Sequence, residues 1–170
     1  YVAKTYPQLL KVDSVHYSWK GSSYYAVVTH VDDSRYQSSM DYTHYGNVID
    51  YYESDVEFKM SDEIMAILQL LILQGTKLEE SQMDISVKLD LKTNQYTLKD
   101  KYSGKEPFSV DIWLHEKQDW DSKEGIFNDE PLYDNQEDFA SDAYDIIKVL
   151  QTANYPYEEV KIYSYLADGN

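Results

Sequence analysis

Asp119, Asp121, Glu124, Asp129 and Glu130 fall within the single run DWDSKEGIFNDE. Carboxylates gathered this closely are first of all cation chemistry. A helix–loop–helix calcium site needs oxygen ligands at the first, third and fifth positions, glycine at the sixth and a bidentate glutamate at the twelfth. Counted from Asp119, the first, third and twelfth positions fit as Asp119, Asp121 and Glu130. Lys123 puts a cation where the fifth ligand belongs, and Gly125 comes one residue late. The residues before it alternate like a strand. The run therefore fails as such a loop, and a looser surface cation site is left open.

Other chemistry fares no better. Glycoside hydrolysis needs two carboxyl groups in a cleft, one with a raised pKa. With 31 acids in the chain, some pair always has a suitable spacing, so spacing carries no signal. The nucleophile elbow, the zincin helix and the phosphate-binding loop are all missing. His16, His30, His44 and His115 are scattered without ligand spacing, although His16 and His30 could meet across a hairpin. There is no cysteine, which excludes thiol catalysis, thiolate metal sites and a disulfide framework. The expectation is a chain that is not an enzyme and that holds no metal and no cofactor.

The 170 residues suit a single domain spanning 1–170 and suffice for a core. A net charge of −16 repels phosphate backbones, so nucleic acid is not an expected partner. The same field attracts a basic partner and speeds its docking. The run from Ile64 to Leu73 is about ten residues, roughly half the length a bilayer span needs. The chain opens at Tyr1 without an initiator methionine, so removal of a signal or membrane anchor is expected.

Several elements must carry these side chains. Val15, Tyr17 and Trp19 alternate with polar residues, Gly21–Ser23 turns, and Tyr24–Val31 is rich in β-formers; this predicts a hairpin. Asp32–Met40 reads as a loop. Val48, Ile49, Tyr51 and Tyr52, then Val56, Phe58 and Met60, predict one or two further strands. Ser61 is placed to cap a helix through IMAILQLLILQ, ended by Gly75. Ile85–Leu91 alternates strictly, Lys92–Gln95 turns, and Tyr96, Leu98 and Tyr102 return as its partner. Phe108–Glu116 is another strand, residues 135–153 an amphipathic helix, and Glu158–Ala167 a closing strand. Short turns between strands imply an α+β fold: an antiparallel β-sheet with helices packed on one face and the other face open.

The open face is where binding is expected. Eighteen tyrosines supply rings that are apolar in body and polar at the tip. Tyr17, Trp19, Tyr25, Tyr51 and Trp113 sit at polar-facing strand positions. Glu53, Asp55 and Asp111 stand among them, with Asp119 and Asp121 as an acidic rim beside Trp120. Apart from histidine, residues 111–145 hold only Lys117 and Lys123 as cations against a dozen acids, and residues 32–57 hold only Arg35. Lysines gather instead at 88–105. Aromatic anchors with an acidic rim are the composition of an interface.

An acidic, cysteine-free, tyrosine-rich α+β chain with the helix SDEIMAILQLLILQ, the segment DISVKLDLKTNQYTLKDKYS and a closing helix–strand pair resembles the immunity proteins of Gram-positive interbacterial toxins. The TipC-like group is the nearest, and the likeness spans most of the chain as an order of elements. It implies neutralisation of a type VII-secreted (LXG) toxin of the lipid II phosphatase type, by binding over the active site through a complementary basic surface. It also implies an extracytoplasmic place, held at the membrane only through an N-terminal anchor, with the cytoplasm as the alternative. A rival expectation is an exported ligand-binding or envelope-assembly domain without a toxin partner.

Overall fold

The computed structural model describes residues 1–92, 95–116, 119–121, 126–128 and 131–165. The fold is α+β and divides into two compact units, Tyr1–Met60 with Leu91–Lys101, and Ser61–Asp90 with Tyr102–Asn170.

In the first unit a short helix α1 (Val2–Thr5) precedes β1 (Leu10–Ser18), β2 (Ser23–His30), β3 (Gln37–Tyr42) and β4 (Val48–Asp50). They form one antiparallel sheet in chain order. The register slips between Val12 and Ser14, so Asp13 is an extra residue, a bulge. This sets Val12 and Val15, three apart, on the same face. Part of the region expected as a loop, from Gln37, is therefore strand β3. The core joins Leu10, Val28 and Met40 of the sheet to Tyr6, Tyr52, Val56 and Leu98.

Helix α2 (Tyr52–Gly75) replaces the strands expected at 51–60. Tyr52, Val56, Met60, Ile64, Leu68 and Ile72 are all buried, and they recur every fourth residue down one side of a helix. Phe58, which looked like part of an alternation, is 68% exposed. The helix starts early because Asp50 Oδ1 accepts the Tyr52 N–H at 3.0 Å and Glu53 and Asp55 occupy the first turn. Ser61, expected as the cap, lies buried in mid-helix.

In the second unit β5 (Met83–Leu89) pairs antiparallel with β6 (Phe108–Leu114), and β9 (Tyr157–Ser164) pairs parallel with β6. The segment 95–102, expected to pair with β5, forms no strand. Asp100 Oδ2 instead accepts the Thr97 N–H at 2.7 Å and its hydroxyl at 2.9 Å, closing a turn, while Leu98 is buried in the first unit's core. Strand β9 is parallel because helix α3 (Gln136–Ala153) carries the chain back before it. That helix is capped by Asn135, whose Oδ1 accepts the Asp138 N–H at 2.9 Å. Phe108, Val110, Ile112 and Leu114 are buried, as are Ile64, Leu68 and Ile72 of α2 and Ile146 and Leu150 of α3. The alternate residues of β6 face outward. β7 (Asp119–Asp121) and β8 (Ile126–Asn128) make a separate antiparallel pair.

Candidate interaction faces

The first unit carries an aromatic face built by strand register. Tyr17, Tyr24, Tyr42 and Val48 form one row across β1 to β4, and Val15, Ala26, Met40 and Asp50 form the next. Side chains in one row share a face of the sheet. The end of this face towards Leu10 and His30 is covered by the core. The other end is open: Val12, Val15, Tyr17, Tyr24 and Tyr42 are exposed, and Trp19 is 86% exposed. Tyr17 meets Tyr24 at 4.9 Å between ring centres and Trp19 edge-on at 5.0 Å. Beside them lies a groove of about 500 Å³, lined mainly by Val2, Val12, Val15, Tyr24, Ala26 and Met40.

One wall of the groove is the N-terminal segment. Asp50 Oδ2 accepts the hydroxyls of Tyr1 at 2.9 Å and Tyr6 at 2.8 Å, fastening that segment to β4. Burial, then the bond to Asp50, drives the Tyr6 phenol well above its ordinary pKa. The Tyr1 phenol is raised in the same direction, chiefly by its bond to the carboxylate.

The expected binding residues do not share one surface. Tyr25 lies on the opposite face from Tyr17, in the row His16, Tyr25, Asp41 and Ile49. Its ring stacks on His16 at 4.9 Å. Tyr24, not Tyr25, belongs with Tyr17. Tyr51 follows β4 and donates its hydroxyl to Asp41 at 3.2 Å, and the charge of Asp41 raises its pKa. Glu53 and Asp55 are in the first turn of α2, not on a strand, and Asp55 accepts the Ser38 hydroxyl. His16 and His30 do not meet: the register sets His16 against Tyr25 and His30 against Leu10. His30 is buried beside Tyr52.

In the second unit Asp111 and Trp113 are on β6 as expected, on its outward side. Trp113 is 40% exposed and stacks on Tyr163 of β9, 4.2 Å between centres and 18° between planes. Asp119 and Asp121 are on β7, opposite Asn128 and Ile126, so the acidic run contains a strand pair. Their side chains, and Lys123, Glu124, Gly125, Asp129 and Glu130 of the calcium reading, lie outside the described residues. Among the described residues no three His, Asp or Glu side chains are grouped to hold a metal ion. No helix among them is long and apolar enough to cross a membrane.

Tyr24, Tyr42, Val12 and Val15 were missed as site residues. Their signal was the register across three strands, and for Val12 also the bulge at Asp13, which simple alternation does not show. No protein-family model, curated protein or solved structure matches this chain.

Proposed function

We propose that this chain is an immunity protein, which neutralises a secreted antibacterial toxin by stoichiometric binding over its active site. The observation that carries the reading is the open end of the first unit's sheet, where Val12, Val15, Tyr17, Trp19, Tyr24 and Tyr42 are exposed together. A contiguous apolar patch with aromatic anchors is the ordinary mark of a protein interface. The net charge of −16 supports a basic partner, drawn in by the field before close contact. The resemblance to TipC-like proteins supplies the toxin class, one acting on a cell-wall precursor outside the membrane.

The test is binding to the toxin encoded beside this chain's gene. Trp19→Ala and Tyr17→Ala are expected to weaken the complex by about 2 kcal/mol or more each, chiefly through faster dissociation. Wild-type affinity in both variants, measured by biolayer interferometry, sinks the proposed face. An absence of any complex with wild type sinks the toxin reading.

One observation favours the rival, an exported ligand-binding domain. A groove of about 500 Å³ lined mainly by apolar side chains is large enough for a small apolar ligand. On that reading dodecanoate quenches tyrosine and tryptophan fluorescence saturably, and Ala26→Trp, which fills the groove, abolishes the effect. A linear, unsaturable response counts against it.

A further inference from the structure

The outward side of β6 carries an arrangement that the aromatic face of the first unit does not use. The register sets Asp84, Trp113 and Tyr163 in one row across β5, β6 and β9. The next row is Ser86, Asp111 and Lys161. Because β6 lies between the other two strands, Tyr163 covers one face of the Trp113 indole and leaves the other turned towards Asp84. The two rings are stacked nearly parallel across adjacent strands, so they stand upright on the sheet. The uncovered indole face is therefore the wall of a slot and not a flat platform.

Its floor is acidic. Asp84 is short and well exposed, and His115 Nε2 lies 3.1 Å from its Oδ2. Asp111 stands two residues from Trp113 on the same face. Lys161, beside it in register, has its ammonium 2.8 Å from Glu159 and also feels the charge of Asp111. Asp84 thus stands on the open side of the indole, and Asp111 follows one row along β6. A slot bounded by a ring and floored by carboxylates selects a ligand that is flat, cationic and able to donate in its own plane. Guanidinium is such a group: it stacks on an aromatic face while its N–H fork meets carboxylate oxygens. An ammonium is a point charge and gains less from stacking. A sugar ring needs a platform facing outward, which the upright stack does not offer. The chain's single arginine, Arg35, is held by Asp33 in the first unit.

We propose that Asp84, Trp113 and Asp111, backed by Tyr163, form a docking slot for one arginine side chain of a partner protein. The slot belongs to the second unit and stands whether or not the partner is a toxin.

The experiment follows the Trp113 indole N–H by heteronuclear NMR in the whole chain, its signal assigned with Trp113→Phe. The probes are N-acetyl-arginine methylamide, N-acetyl-lysine methylamide and free arginine. The arginine amide is expected to shift the Trp113 signal saturably, and the lysine amide to bind roughly threefold or more weakly. Free arginine, whose α-ammonium and α-carboxylate cancel in charge, is expected to bind no more tightly than its blocked form. The double variant Asp84→Asn, Asp111→Asn should lose the shift while its other indole signals stay in place. Equal affinity for the two blocked cations overturns the proposal, as does a response that persists in the double variant. Tighter binding of free arginine marks a small-molecule site and overturns protein docking.

Discussion

His30 is 1% exposed on β2, with Nε2 2.7 Å from the Tyr52 hydroxyl. That hydroxyl also accepts the Leu98 N–H at 3.4 Å, which leaves its own hydrogen to point at Nε2 of a neutral ring. Burial lowers the His30 pKa, and repulsion from Lys99 adds to it against the weaker pull of Asp32, Asp33 and Asp100. A histidine whose folded pKa lies below its unfolded value of about 6.5 contributes fully above that value. The contribution is lost as pH falls towards the folded pKa, because the unfolded chain binds the proton first. Urea midpoints should therefore fall between pH 7 and pH 5, before the carboxylates titrate. His30→Gln should flatten that slope, and an unchanged slope contradicts the assignment. Glu106 behaves oppositely to a lone buried acid. Although buried, its carboxylate accepts from the Ser103 N–H and hydroxyl and the Lys105 N–H, and these bonds outweigh burial to hold its pKa down. At high pH the sign reverses. Tyr102, pushed up to about 12 by burial and then by Glu106, contributes below the free phenol's pKa of about 10 and is lost as pH rises through its folded value.

Gly75 ends α2 for a reason other than left-handed geometry. A Cβ there would lie 2.3 Å from Val149 Cγ2 and 3.3 Å from its Cγ1, so the last turn of α2 presses directly on α3. Valine has little χ1 freedom in a helix, so the contact cannot be relieved cheaply. Gly75→Ala is expected to cost about 1–3 kcal/mol in chemical denaturation, despite the better helix propensity of alanine. Val149→Ala made in the same chain should restore part of that loss. Additive losses in the double variant would mean that the two sites do not touch. Helix α3 and the strand character of β6 were legible because their periods are unmixed, and the hairpin of β1 and β2 because a turn signal separates two β-rich runs. The start of α2 was not. Val56, Phe58 and Met60 mimic a strand period of two, while the series from Tyr52 to Ile72 in steps of four is the true pattern, and the short window hid it. Leu98 misled for a different reason: its apolar alternation serves a buried turn, not a ladder. The parallel placement of β9 depends on where α3 delivers the chain, which local periodicity does not encode.

Across the whole molecule the excess of 31 acids over 15 basic residues sets a self-repulsion that the compact state must bear. Added sodium chloride screens it, so Tm at neutral pH should rise by a few degrees between low salt and half-molar salt. A Tm that falls with salt would show that local ion pairs outweigh the repulsion. Arg35 with Asp33, Lys99 with Asp32 and Lys161 with Glu159 each include at least one well-exposed partner. Such pairs at a surface contribute little. Composition alone conveyed this acidity, the lack of thiol chemistry and the surplus of aromatic rings. It could not show that the expected binding residues are dispersed. Tyr17 and Tyr25 are separated by a single pleat, and Glu53 and Asp55 by the change from strand to helix.

The extra residue at Asp13 has a consequence beyond aligning two valines. β1 is the margin of its sheet, and a long regular margin next to exposed aromatic rings invites a second copy to add its own strand and then a third. A bulge there breaks the evenly spaced row of donors and acceptors that such growth would need, and it places a carboxylate at the break. One inserted aspartate thereby lets the chain keep a sticky face without the face becoming a seed for fibres.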